Sequence, residues 1–236
     1  MTVAKANLII KADDQSRFEG QSNPTLTATY TSFVLGETPA VLTTPATIAT
    51  SATTASAPGT YAITVTGATA ANYNITQTNG TLTVVAKQNQ TITFAAPATK
   101  TYGNADFAHG ATSTNATIPI TFVSSNPAVA TVLGSNIHIV GAGTTNITAS
   151  QAGSVGYFAA TDVVRTLTVN KAALTIKVKD TVKNFGTTNP PFTITYTGFV
   201  LGETAANLSA PVNVATVANN NIGTGLLCIN TAGNSR

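Results

Sequence analysis

The sequence contains few charged residues, one cysteine and no tryptophan. Only 8% of its 236 residues are charged, and the 11 basic side chains are scattered along the chain. The net charge of +3 therefore forms no basic stripe of the kind that nucleic-acid-binding proteins carry. The single Cys228 excludes an internal disulfide framework. Because no run of about 18 apolar residues occurs, we expect no membrane span within this sequence.

Threonine, valine, glycine and asparagine are abundant instead, and no long stretch has the apolar spacing of a helix. Branching at Cβ favours strands over helices. In LTATYT, Leu26, Ala28 and Tyr30 would share one face of a strand, with threonines on the other. Clusters of Gly, Pro and Asn separate such runs. The pattern predicts an all-β protein built of tandem Ig-like β-sandwich repeats.

One decapeptide occurs twice. TYTSFVLGET at 29–38 returns as TYTGFVLGET at 195–204, an offset of 166 residues. The correspondence runs without a gap from Lys5–Ile63 onto Lys171–Ile229. The segment between the copies has a different sequence, although both it and the first copy end in a TLTV strand followed by a lysine. The chain therefore contains a duplicated domain around an unrelated one.

We predict three modules. The first module is 1–86, in which residues 1–4 match the end of an upstream repeat; the second is 87–170; the third is 171–236. The third lacks counterparts of YNITQT and TLTVV, so it is a truncated repeat. A unit without these strands exposes an unpaired edge, and we expect it to be unstable or to swap strands. The sequence is interpreted as a window from a longer array.

The repeated decapeptide predicts local architecture. Phe33 lies out of phase with Tyr30, which requires a bend near Ser32, where the second copy has a glycine. Gly36 allows a tight turn. Thr38 followed by proline predicts a helix cap and one helical turn, after which Leu42 would pack against the sheet.

The first and third modules resemble the MBG domain, a β-rich module found in tandem in bacterial surface and adhesin-like proteins. The matching stretches are LIIKADD, SNPTLTATYTSFVLGET, PGTYAITVTG, ANYNIT and NGTLTV in the first module, and LTIKVKD and NPPFTITYTGFVLGET in the third. The second module resembles bacterial Ig-like domains of the invasin/intimin type, through QTITF, KTYG, SSNPAVATV and IVGAGTTNITAS. These resemblances imply an extracellular spacer or adhesin stalk, and they carry no catalytic residue onto this chain.

Few residues are candidates for site chemistry. His109 and His138 lie outside any metal-ligand spacing, and we expect a loop residue and a solvent-facing strand residue, respectively. Asp13, Asp14 and Glu37 are candidates for a calcium cluster. The sequence has no Asp-x-Asp-x-Asp-Gly loop, however, so a structural role is favoured for these carboxylates. We therefore predict no catalytic, cofactor-binding or metal-binding residue, and no cofactor.

A lysine–asparagine isopeptide bond is a further hypothesis. It needs a buried lysine, an asparagine and a neighbouring carboxylate. Lys11 and Lys177 recur between the copies, as do Glu37 and Glu203, but no asparagine partner is evident.

The function predicted from the sequence is a non-enzymatic stalk or spacer of a large bacterial cell-surface or secreted protein. Its expected partners are neighbouring repeats of the same chain, and its expected location is extracellular. The alternative is an adhesin module that binds a glycan or a protein through sandwich loops. Tyr157-Phe158 is the only adjacent aromatic pair that would support it. An enzyme would require a cluster of catalytic side chains, and the sequence contains none.

Overall fold

The structure is a computed structural model that describes residues 3–216 and 227–230, with side chains through residue 214. These residues form twenty β-strands (β1–β20) and two single turns of 3₁₀ helix (η1 and η2), which confirms the all-β prediction. The described chain divides into two compact units. Unit 1 comprises residues 1–90 and 152–160, and unit 2 comprises 91–151 and 161–236. The three-module division stays a prediction. Of the strand end expected at 1–4, Met1 and Thr2 lie outside the described residues.

Unit 1 contains the first seven strands and η1. They are β1 (Ala6–Ala12), β2 (Gln15–Phe18), β3 (Ala28–Thr31), η1 (Pro39–Val41), β4 (Thr47–Thr50), β5 (Gly59–Thr66), β6 (Tyr73–Thr78) and β7 (Gly80–Val85). One sheet has the order β3-β1-β6 and the other β2-β7-β5-β4. Most neighbours are antiparallel, but β1 and β6 are parallel, as are β2 and β7.

The core of unit 1 follows from side-chain alternation. On β1, Leu8 and Ile10 are fully buried whereas Lys11 is exposed. Ile63 on β5 and Leu82 on β7 face them from the second sheet and are also fully buried. The predicted inward face of LTATYT is confirmed, although β3 begins only at Ala28. Alternation along each strand thus places the apolar side chains between the two sheets.

The decapeptide has the predicted backbone. Ser32 has φ 80° and Gly198 has φ 111°, so the backbone bends at the predicted position, and it does so in the left-handed region. Gly36 also has positive φ, and η1 follows with Leu42 packed against the core. Thr38 is the N-cap residue and proline opens the helical turn, as predicted, although the Thr38 side chain makes no capping hydrogen bond. In the second copy the Thr204 hydroxyl does cap the turn, since it accepts from the Ala206 N–H at 3.3 Å.

Unit 2 contains the remaining strands and η2. They are β8 (Ile92–Thr93), β9 (Lys100–Thr101), β10 (Phe107–Ala108), β11 (Thr112–Ser113), β12 (Ile120–Ser124), β13 (Ala130–Leu133), β14 (Asn136–Ile139), β15 (Gly143–Gln151), β16 (Val163–Asn170), β17 (Thr175–Val178), β18 (Ile194–Thr197), η2 (Ala205–Asn207), β19 (Asn213–Thr216) and β20 (Leu227–Asn230). The largest sheet has the order β12-β15-β16-β9, in which β9 and β16 are parallel. Ile137, Ile147 and Leu167 are fully buried.

The third module repeats only part of the first. β17 pairs with β18 in the register that β1 has with β3, shifted by 166 residues. β19 and β20 correspond to β4 and β5, but their pairing is displaced by two residues from the duplicated register. Residues 181–184, the counterpart of β2, form no strand. The two copies therefore share fewer strands and strand registers than their gap-free sequence match predicts.

Candidate functional site

Both histidines are in structural contacts. His138 faces away from the buried Ile137 and Ile139, and its Nδ1 lies 2.7 Å from Asp106 Oδ1. The imidazole is 45% exposed, so the prediction of a solvent-facing strand residue is confirmed. His109 lies between β10 and β11, where its Nδ1 accepts from the Ala111 N–H at 3.1 Å.

Aspartates 13 and 14 act as hydrogen-bond acceptors after β1. Asp13 accepts from the hydroxyls of Thr27 and Thr29, each at 2.6 Å. These two bonds, in that order, lower the pKa of Asp13, and the charge of Lys11 adds a smaller effect in the same direction. Asp14 accepts from the Thr81 N–H at 2.8 Å and so ties β7 to the end of β1. Across the described residues, no three His, Cys, Asp or Glu side chains gather as a metal site.

The lysines of the isopeptide hypothesis are exposed. Lys11 and Lys177 lie on the outer faces of β1 and β17. The cross-link needs a buried lysine, so the structure lacks the environment that the hypothesis requires. Glu37, its expected carboxylate, is instead bound to a tyrosine.

Glu37 and Tyr73 form the first of two carboxylate–tyrosine pairs. Tyr73 is buried at the start of β6, and its hydroxyl donates to Glu37 Oε2 and accepts from the Val34 N–H at 3.1 Å. The edge of its ring meets Phe33 at 5.6 Å between centroids. Burial, followed by the hydrogen bond to Glu37, raises the pKa of Tyr73. Sequence reasoning missed this pair, although the recurrence of Glu37 as Glu203 was a signal for it.

Glu203 and Tyr102 form the second pair. The Tyr102 hydroxyl donates to Glu203 Oε1 at 3.1 Å, both within unit 2. A cavity of about 590 Å³ adjoins this pair. Its apolar wall includes Leu174, Ile176 and Phe199.

Glycine is required beside the second pair. Gly103 has φ 92°, and a Cβ at this position would lie 2.7 Å from the Cβ of Val200. A real Cβ does not approach another carbon so closely, so the KTYG turn and the FVLGET segment are in close contact. This contact fixes Tyr102 next to Glu203.

The adjacent aromatic pair lies in segment 152–160 of unit 1. Gln88 and Tyr157 form a parallel β-bridge, and the Lys87 ammonium lies 5.9 Å from the centre of the Phe158 ring. A shallow cavity of about 380 Å³ is lined by Phe158, Lys87 and Glu19, among others. Phe158 is 46% exposed, so one aromatic side chain is available to a ligand here.

Comparisons with known proteins agree with the internal duplication. The sequence matches the family described as MBG domain (YGX type) over residues 8–83 and 174–232, together more than half of the chain. The chain therefore belongs to the MBG domain family and carries two copies of its domain. No curated protein sequence matches it. Among the described residues, no helix has the length and hydrophobicity to cross a membrane.

The similar solved structures include two multidomain proteins. One is surface layer protein SbsC, domains 1–6, with 16% identity and a TM-score of 0.34, covering 97% of this chain and 37% of that one. Another is Sidekick-1 immunoglobulin domains 1–4, with 14% identity and a TM-score of 0.29, covering 72% of this chain and 51% of that one. The chain spans about half or less of the length of these structures.

Proposed function

We propose that this chain is a non-enzymatic spacer within a large bacterial cell-surface or secreted protein, where its modules carry tension along the polypeptide. In this proposal residues 87–170 are an Ig-like module of the invasin/intimin type between two MBG domains. Membership of the MBG family supports a repeat region. The polar groups weighed as catalytic or metal-binding candidates are engaged in hydrogen bonds that hold strands and turns together.

One feature of strand pairing carries the proposal. In the first module β2, near its start, pairs in parallel with β7, its last strand, over four residues from Gln15 opposite Leu82 to Phe18 opposite Val85. In the second module β9 pairs in parallel with β16, the last strand there. We call these two pairings the terminal clamps.

Parallel terminal strands resist stretching for a geometric reason. Tension pulls the start of one strand and the end of its neighbour in opposite directions along the strand axis. All hydrogen bonds between the strands are then loaded together, because these bonds lie across the direction of force. An antiparallel pair pulled at one end opens one bond at a time. A module with a terminal clamp therefore suits a load-bearing spacer.

Hydrogen bonds beside the two predicted module junctions support the same role. Glu19 accepts from the Lys87 N–H at 3.0 Å, next to the bridge between Gln88 and Tyr157. In unit 2, the Tyr102 N–H donates to the Asn170 carbonyl at 2.8 Å. Hydrogen bonds thus hold the residues next to each predicted junction, Lys87 at the first and Asn170 at the second.

The test is a pair of proline variants in β2, measured by stretching the whole chain between its ends. Glu19 donates its N–H to the Val85 carbonyl at 2.9 Å, so strand alternation turns the Gln15 N–H toward β7 and the Ser16 N–H away. Gln15→Pro removes a bond of the clamp and should lower the rupture force of the first module. Ser16→Pro is the matched control and should lower it less. Equal rupture forces for the two variants would contradict the proposal.

The adhesin role is the second candidate, and the exposed ring of Phe158 beside Lys87 favours it. An aromatic face next to a cation and a carboxylate is an arrangement that binds sugars. A glycan array with the wild-type chain and Phe158→Ala tests it. A glycan that binds the wild type and not the variant would support the adhesin role, and an array without hits would oppose it.

A further inference from the structure

Part of the second predicted module belongs to unit 1. Segment 152–160, which we call the strap, lies in the connection from β15 to β16, yet it forms one compact unit with residues 1–90. Loops between antiparallel neighbours such as β15 and β16 commonly have about two to five residues. Because β15 ends at Gln151 and β16 begins at Val163, this connection has eleven. The strap is therefore longer than its own hairpin requires.

The strap is bonded to the chain between β7 and β8. The Gln88 N–H donates to the Gly156 carbonyl, and the Phe158 N–H donates to the Gln88 carbonyl, each at 2.9 Å. These two bonds make a parallel β-bridge. The side chain of Gln90, which is 4% exposed, donates to the Ala152 carbonyl at 2.7 Å. The start and the second half of the strap are thus attached to the residues that follow the first module.

The strap also covers the end of the first terminal clamp. Phe18 is the last residue of β2 and lies opposite Val85 in the clamp. A Cβ added to Gly156 would lie 3.2 Å from the tip of the Phe18 ring, which is closer than side chains normally approach. The absence of a side chain at Gly156 therefore allows the backbone of the strap to lie directly against this ring.

The shape of the strap is fixed by its own backbone. The Ser154 N–H donates to the Tyr157 carbonyl at 2.9 Å. A Cβ added to Gly153 would lie 2.9 Å from both that carbonyl oxygen and the Ala159 nitrogen, so the loop closes tightly on itself. Because a loop that is already folded loses little conformational freedom when it docks, the strap can bind the chain at Gln88 with few contacts.

The strand that gains most from this cover is β2. It has four residues and is an edge strand of its described sheet, where β7 is its neighbour. Parallel pairing is slightly weaker per residue than antiparallel pairing, and elements with few buried contacts open locally before the rest of a fold. Without the strap, the ring of Phe18 would be more exposed to solvent at the end of this short pairing.

We propose that the strap is a lock on the first terminal clamp, so that the first module reaches its full stability only when the strap of the following predicted module is docked on it. Docking keeps Phe18 covered and holds Gln88 in place after the end of β7, which keeps the pairing of β2 with β7 closed. This dependence exists without load. It therefore goes beyond the spacer function and can fail while that function stands.

Hydrogen exchange of the full chain under native conditions tests the lock with two matched variants. Gly156→Val places a branched side chain against the Phe18 ring and should displace the strap, whereas Ser154→Val places the same side chain on an exposed strap residue. In Gly156→Val the amides of β2 and of Gln88 should exchange at least about tenfold faster, which corresponds to about 1.4 kcal/mol. The amides of β15 and β16 should keep their rates, and Ser154→Val should change none of these rates.

Gln90→Met is a second and milder variant, because it removes the side-chain donor to the Ala152 carbonyl and keeps the approximate size of the side chain. It should speed exchange at β2, but less than Gly156→Val does. Combining the two substitutions should add nothing to the effect of Gly156→Val, since a displaced strap has no bond to Gln90 left to lose.

Four results would overturn the proposal. They are unchanged exchange at β2 in both Gly156→Val and Gln90→Met, equal effects of Gly156→Val and Ser154→Val, additive effects in the double variant, and equal acceleration at β2, β15 and β16. The last result would place the effect in the hairpin that carries the strap and not in the clamp.

Discussion

Replacing Arg17 by lysine tests how the first terminal clamp is held in place. Arg17 lies on β2 and is only 7% exposed. Its guanidinium donates to Asn23 Oδ1 at 2.8 Å, to the Phe18 carbonyl at 3.2 Å and to the Thr53 carbonyl. The third module has Lys183 at the equivalent position, where it donates to the Thr187 carbonyl, and residues 181–184 form no strand. The substitution therefore installs the residue of the copy that lacks this strand.

The expected cost follows from the hydrogen bonds lost. Lysine keeps the charge, but its single ammonium cannot span the separate acceptors that the guanidinium fork reaches. We expect at least two of the three bonds to be lost, at about 1.5 kcal/mol or more for each bond to a charged donor. The free energy of unfolding of the first module should fall by about 3 kcal/mol.

The assay is hydrogen exchange under native conditions, because a chain of several modules does not unfold in one two-state step. Amides of β2 and β7 should exchange faster by about two orders of magnitude, which corresponds to about 3 kcal/mol. Arg165→Lys is the matched control, because the Arg165 guanidinium donates to the Phe94 carbonyl at 2.8 Å in unit 2. A change of less than about threefold at β2, which corresponds to about 0.6 kcal/mol, would show that these hydrogen bonds do not hold the clamp in place.

Three further predictions concern other contacts. Hydrogen bonds lower the pKa of Asp13 in the folded chain. The ionised carboxylate therefore stabilises the fold above the usual pKa of 3.8, and this stabilisation is lost as the pH falls through the lower folded value. Thr27→Val should raise the pKa of Asp13, which an NMR titration would measure. Gly103→Ala should destabilise unit 2 by about 1–3 kcal/mol more than Gly134→Ala. Both glycines have positive φ, but only at Gly103 would the added Cβ meet a close neighbour, Val200. Equal effects of the two substitutions on thermal unfolding would contradict the close contact between Gly103 and Val200. Limited proteolysis should release an intact 1–170 fragment, because residues 181–184, the counterpart of β2, form no strand; equal protection of residues 171–214 would count against this prediction.

Local architecture was predictable from the sequence because it depends on neighbouring residues. Alternation in β3, the bend at Ser32 and the helical turn after Thr38 each follow from side-chain size, strand period and backbone φ. The inward and outward faces of the strand around His138 were predictable for the same reason.

Long-range pairing was not predictable from the sequence in the same way. The parallel neighbours of β1 and β2 are β6 and β7, more than sixty residues away, and alternation does not identify partners. The bond between Tyr73 and Glu37 depends on that pairing. The duplication contained a usable signal, because a glutamate repeated within an apolar decapeptide needs a partner in each copy. Segment 152–160 joins unit 1 through the bridge at Tyr157, which no repeat pattern indicated.

Pulling the first module in two directions tests most directly whether the terminal clamp bears load. With Cys228 replaced by serine, attachment at Lys5→Cys and Ala86→Cys loads two parallel pairs along their axes, β1 with β6 and β2 with β7. Attachment at Thr43→Cys and Ala71→Cys opens the antiparallel pair β4 and β5 from the end at which Thr47 faces Thr66.

The same module is thus stretched by two routes in single-molecule force spectroscopy. We expect a markedly higher rupture force for the attachment at residues 5 and 86 than for the attachment at residues 43 and 71. Equal forces, or a lower force between residues 5 and 86, would contradict the claim that this chain is built to carry tension.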